Sequence, residues 1–128
     1  MTNLEVIQEL YRCFREKDDA SFLAICADDL EWIQNAGFPN GATHSGAAAV
    51  VESVFNGNRS EWENFSFQIT QFFDAGSSII VIGKYEGLHH QTRKPMQAVA
   101  AHVYDLREGK VSRFRMFADT KSMWDAMS

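Results

Sequence analysis

Apolar residues recur along this chain with two different periods, and the change between them divides it. In the first third the spacing is helical. Leu4, Ile7, Leu10, Tyr11 and Phe14 fall on one stripe, which predicts an amphipathic helix over residues 3–16. Thr2-Asn3-Leu4-Glu5 has the form of a capping box, with Thr2 as N-cap and Glu5 reaching back to it. Asp18 or Asp19 caps a second helix running through Cys26, with Phe22, Leu23, Ile25 and Cys26 as its buried side, and Asp28-Asp29 ends it. Residues 30–35 read as a short strand that puts Trp32 and Gln34 on one face. A loop follows over residues 36–44, marked by Gly37, Pro39, Asn40 and Gly41. Ser45-Gly46 opens a third helix over residues 47–55, which stops at Asn56-Gly57-Asn58.

After a polar connector, residues 59–64, the period becomes two. Residues 65–72 alternate as a strand, Asp74-Ala75-Gly76-Ser77 turns the chain, and residues 78–88 return. His90 to Lys94 is a loop, and Pro95 begins a long hairpin over residues 96–120 that turns at Arg107-Glu108-Gly109-Lys110. On its second strand Ser112, Phe114, Met116 and Ala118 alternate with Val111, Arg113, Arg115 and Phe117. That pattern predicts a dry inner face and a wetter outer one. A short helix over residues 120–127 closes the chain. Helices segregated from an antiparallel sheet make the fold class α+β.

The length, 128 residues, is that of one domain able to bury about two-thirds of its unfolded surface. Ten Phe and three Trp supply enough bulk to line a cavity as well as fill a core. A net charge of −5 with scattered basic residues argues against nucleic acid and anionic membrane surfaces as partners. Cys13 and Cys26 sit among apolar neighbours and read as buried free thiols, which fits a reducing compartment. With no secretory h-region and no apolar run near the roughly 18 residues of a membrane span, a soluble cytoplasmic protein is expected.

Several segments, taken in order, resemble a known family. They are Ala27-Asp28-Asp29-Leu30-Glu31-Trp32, His44-Ser45-Gly46-Ala47-Ala48-Ala49-Val50 and Gly87-Leu88-His89. The hairpin adds His102-Val103, Glu108-Gly109-Lys110-Val111, Arg113-Phe114-Arg115 and Ala118-Asp119-Thr120. Together they are similar to the nuclear transport factor 2-like superfamily over essentially the whole chain, and within it to the SnoaL-like polyketide cyclases and ketosteroid isomerase relatives. The resemblance implies a cone-shaped α+β barrel, with three N-terminal helices packed in a strongly curved, mostly antiparallel sheet. It also implies a small hydrophobic molecule inside the cone and a homodimer through the outer sheet face. Any activity would be a cofactor-independent isomerase or cyclase reaction.

The family's catalytic positions transfer only in part. The ketosteroid isomerase base, tyrosine and neutral acid fall on Gln34, Leu10 and Ala101, with Tyr11 one residue away, so both carboxyls of that mechanism are missing. Of the His and Asp that describe the SnoaL-like cyclases, the first falls on His102 and the second on Met116, with Asp119 three residues further on.

His102 and Asp119 are therefore the candidate catalytic pair, each with an ordinary alternative. A two-residue turn at Glu108-Gly109 would set His102 opposite Arg115, facing out. A three-residue loop with a left-handed Gly109 would set it opposite Phe114, facing in. Asp119 precedes a helical run that it would cap, unless a bulge near Phe117 swings it inward. Trp32 reads as a pocket wall and Gln34 as a group that orients a ligand carbonyl or hydroxyl. Tyr11, Phe38, Tyr85, Phe114 and Met116 are the remaining candidate ligand contacts, equally readable as core. His44, His89 and His90 lack the type and spacing of a metal set, and neither a phosphate-binding glycine loop nor a nucleophile elbow is present. Three readings stay open: a proton-transferring enzyme, a passive carrier of an apolar ligand, and an assembly subunit with a filled cone.

Overall fold

The computed structural model describes all residues, 1–128. Helix α1, Asn3–Glu16, starts at the expected box: Glu5 N–H donates to Thr2 Oγ1 (3.1 Å) and Thr2 N–H to Glu5 Oε1 (2.8 Å). Its apolar stripe buries Val6, Ile7, Leu10, Tyr11 and Cys13. Helix α2, Asp19–Ile25, is capped by Asp18 and buries Phe22. Leu23, expected inside, is exposed, and Cys26 belongs to the next strand. A seven-residue helix lying on the cone has too narrow a contact to cover two adjacent positions.

Strand β1 spans Cys26–Gln34 and begins before the expected residue 30, because Ala27, Asp28 and Asp29 bridge an irregular stretch of its pairing with the hairpin. Strand β2, Thr43–Ser45, takes the last two residues of the segment read as loop together with Ser45, read as opening the third helix, and pairs with β1. Helix α3, Ala47–Ala49, runs into a π-helical segment, Val50–Phe55, and then α4, Asn56–Glu61. Asn56-Gly57-Asn58 thus fails to stop the helix. Gly disfavours a helix by about 1 kcal/mol and Asn by up to about 0.7 kcal/mol without forbidding its dihedrals, and the packed turn before them carries the chain on.

Strands β3 (Trp62–Asp74), β4 (Ser78–His89), β5 (Pro95–Arg107) and β6 (Lys110–Ala118) follow, then helix α5, Thr120–Ala126. One six-stranded sheet runs β2-β1-β6-β5-β4-β3. All neighbours are antiparallel except β1 and β6, which are parallel. Register shifts in β1, β3 and β6 bend it. The result is a curved, unclosed sheet with the helices packed against its concave side.

The hairpin β5–β6 follows neither of the two expected registers. Arg107 pairs with Lys110, so Glu108-Gly109 is a two-residue turn, with both φ values positive at 52° and 75°. Leu106 then pairs with Val111 but Asp105 with Arg113, leaving Ser112 as a bulge residue. That extra residue sets His102 opposite Met116, with both side chains inside the cone. It also buries Val111, which strict alternation had placed on the outer face beside Arg113. The bulge, not the length of the turn, decides which way the histidine points.

Candidate functional site: an uncharged polar network in an aromatic chamber

Helices and strands from both halves of the chain bring their side chains to one chamber of about 40 Å³ inside the cone. Helix α1 contributes Tyr11, β1 contributes Trp32 and Gln34, and β4 contributes Tyr85. His102 and Tyr104 come from β5, Phe114 from β6. Aromatic rings of the π segment and β3 (Phe55, Phe65 and Phe67) complete the wall. The chamber has room for about two or three waters or the reacting end of a ligand. A wider vestibule of about 150 Å³ shares Gln34, Val54 and Asn58 with it and adds Phe38, His44, Glu61 and Met123.

His102 is the centre of the chamber's polarity. Tyr11 Oη lies 2.6 Å from its Nδ1 and Tyr85 Oη 2.7 Å from its Nε2. Tyr104 donates to Tyr11 Oη at 2.9 Å, and Tyr85 donates to Met116 Sδ at 3.2 Å. Small residues make this reach possible. Gly83 and Ala100, paired across β4 and β5, lie between Tyr85 and His102 on the inner face. A Cβ on Gly83 would sit 2.6 Å from the Phe67 ring and 2.5 Å from Gln68 O. Without it, Phe67 stacks on the imidazole at 4.2 Å between centroids.

Burial sets the charge state. It lowers the His102 pKa to about 3 and raises those of Tyr11, Tyr85 and Tyr104. All four groups are therefore neutral at physiological pH, and the imidazole has one donor and one acceptor nitrogen. Trp32 stacks on Phe114 across the parallel β1–β6 pair at 3.8 Å. Its Nε1–H is buried with no acceptor in the protein.

The other expected residues divide. Tyr11, Trp32, Gln34, Tyr85 and Phe114 line the chamber, while Phe38 lines only the vestibule. Met116 stands behind Tyr85 as its hydrogen-bond acceptor. Asp119 is not brought to His102. Its carboxylate caps α5, accepting from Ser122 N–H (3.2 Å) and Ser122 Oγ–H (2.6 Å), which hold its pKa below the usual value. No bulge near Phe117 turns it inward; the register shift lies at Ser112 instead. Sequence reasoning missed Tyr104, although it stands two residues from His102 on a strand and so shares its face. It also missed a pair behind the vestibule wall, to which Glu61 contributes and His89 does not: His89 Nε2 is 2.7 Å from Glu61 Oε1, with Thr92 N–H donating to Nδ1 at 3.2 Å.

The family comparison agrees with this architecture. The family model described as the SnoaL-like domain matches residues 7–114. The chain belongs to that family. An NTF2-like protein from Burkholderia thailandensis E264 is 31% identical, with a TM-score of 0.96 over 100% of this chain and 98% of its own. TerC, co-crystallised with polyporic acid, is 23% identical with a TM-score of 0.85, over 98% of this chain and 97% of its own. A hypothetical protein from Catenulispora acidiphila with a ketosteroid isomerase-like fold, in complex with trimethylamine, is 17% identical. Its TM-score is 0.84, over 98% of this chain and 93% of its own. Among curated proteins none matches the sequence. No helix of this SnoaL-like protein is long and apolar enough to cross a membrane.

Proposed function

We propose that this SnoaL-like protein binds a small, uncharged, mostly apolar carbonyl compound of one or two rings and moves a proton on it without a cofactor. The observation that carries the reading is the buried imidazole with a tyrosine hydroxyl on each nitrogen in the wall of an aromatic chamber. A histidine so costly to charge is a poor free-standing base. It is well suited to concerted transfer, accepting a proton at one nitrogen while releasing one from the other and never carrying net charge. The ring-bearing body of the ligand would lie in the vestibule against Phe38, with its reacting end in the chamber.

The test is exchange of the α-protons of 1-indanone in deuterated buffer, followed by proton NMR. Exchange faster than buffer alone, lost in His102→Gln, is the expected result. A second reading, a passive carrier, is favoured by the lack of any carboxylate in the chamber lining. Binding of 1-indanone without exchange would select it.

A second copy of the chain is the proposed cover for the outer sheet face, where Val99 and Phe117 stand exposed and Arg115 Nε is buried without an acceptor. Light scattering would show twice the chain mass; a monomer at micromolar concentration would contradict it.

A further inference from the structure

The hydrogen bonds around His102 take one direction when the single Tyr85 hydroxyl hydrogen is aimed at Met116 Sδ. Met116 Sδ carries no hydrogen, so in its 3.2 Å contact with Tyr85 the hydroxyl donates. Tyr85 has only that one hydrogen, so its oxygen accepts from His102 Nε2 at 2.7 Å, and Nε2 carries the ring proton. A neutral imidazole has one N–H, which leaves Nδ1 bare to accept from Tyr11 at 2.6 Å. The Tyr11 oxygen in turn accepts from Tyr104 at 2.9 Å. The chain therefore runs Tyr104, Tyr11, His102, Tyr85, Met116, each group donating to the next.

Its two ends are unequal. The last donor, Tyr85, is held only by a thioether, a weak acceptor. In the same chamber the buried Trp32 Nε1–H has no acceptor. An unused donor and a poorly used one make a donor-only cation, such as a protonated amine, the wrong ligand and an acceptor oxygen a right one. The chamber holds no fixed cation to offset an anion.

We propose that Tyr85 is the group that reads the ligand, exchanging Met116 Sδ for a neutral ketone or aldehyde oxygen, and that the ordered chain behind it delivers a proton to that oxygen. The inference rests on the pocket reading above and adds its donor, its direction and its substrate class. The step balances as a keto-to-enol isomerisation. Tyr85 gives its proton to the carbonyl oxygen and takes the Nε2 proton; Nδ1 takes the Tyr11 proton, and Tyr11 that of Tyr104. The Tyr104 oxygen takes the proton released from the ligand's α-carbon, whose electron pair forms the C=C bond of the enol. One C–H bond breaks and one O–H bond forms. The chain ends reversed, with His102 protonated on Nδ1 and every group neutral.

Two measurements decide it. In protein labelled with [¹⁵N]histidine, long-range ¹H–¹⁵N spectra should show His102 as the Nε2–H tautomer. Met116→Leu should bring in a sizeable Nδ1–H population, because Tyr85 can then donate to Nε2. An Nδ1–H wild type, or a tautomer indifferent to Met116→Leu, overturns the inference; a purely structural methionine would not move this signal. In the second, 1-indanone and indane are titrated against wild type and Tyr85→Phe. The ketone should bind about tenfold more tightly than the hydrocarbon to wild type, the size of one net hydrogen bond, and the ratio should fall to about one in Tyr85→Phe. Equal binding to wild type overturns this inference alone, whereas binding of neither compound overturns the pocket reading with it.

Discussion

Strands β5 and β6 present two kinds of polarity on their two faces. Inward, His102 and Tyr104 join a chain of short hydrogen bonds in which every group is neutral and almost no atom meets solvent. Outward, Arg113 pairs with Glu31 at 3.3 Å and Arg115 with Asp105 at 3.8 Å, all partly exposed. The dry side excludes charge, because a buried ion costs far more than a buried dipole with a partner. It keeps direction, since each proton has one place to go. The wet side tolerates charge, but water and salt weaken each pair. The proposed proton transfer draws on the first face and the proposed association on the second.

The contrast is testable, beginning with packing. Trp32→Ala removes the ring stacked on Phe114 and opens the chamber wall; it should cost about 3–5 kcal/mol in urea unfolding. Phe117→Ala, on the exposed face, should cost the monomer no more than about 0.5 kcal/mol. Equal losses would erase the difference between the faces.

Next in size is acid sensitivity. His102 takes up a proton below its ordinary pKa of 6.5 when unfolded, but in the fold only near 3. Between those values the unfolded state binds more protons, so stability falls as pH falls. The contribution is whole above about pH 6.5 and diminishes toward pH 3, by on the order of 4 kcal/mol. Urea midpoints measured across that window should decline in wild type and decline less in His102→Gln. Parallel curves would mean that the imidazole titrates freely.

Tyr11→Phe is a gentler probe. It strands the Tyr104 hydroxyl and leaves Nδ1 without a donor, at a cost of about 1–3 kcal/mol with the ring packing kept. An unchanged unfolding midpoint would show that the network contributes no stability. The smallest effect belongs to the outer face: Arg113→Ala should lose less than about 1 kcal/mol, and raised salt should abolish the difference. A larger loss would mark a partner that makes Arg113 part of a buried pair.

Much of this framework could be read from local pattern. The capping box at Thr2, the stripe from Leu4 to Phe14 and the alternation after Phe65 each carry their own physics within a few residues. The cone follows from the resemblance carried by the order of short segments, and Tyr11, Trp32, Gln34, His102 and Phe114 were legible as pocket candidates on that basis. Asp119 misled because it lies only three residues past the family acid position, which falls on Met116, while an Asp before a helix is also a ready N-cap. Tyr104 stayed hidden because its partner, Tyr11, is distant in sequence and its role appears only when the two oxygens meet.

The sequence by itself determined where helices start, which residues alternate and that the interior would be aromatic, since these depend on neighbours along the chain. Only the tertiary structure decided the rest. A single bulged serine turned His102 inward, a missing Cβ at Gly83 admitted Phe67, and the closing of α1 onto the sheet put the Tyr11 hydroxyl on Nδ1, across the ring from the Tyr85 hydroxyl that β4 puts on Nε2. Direction in a hydrogen-bond chain depends on what stands at its far end, and here that end is a methionine on another strand.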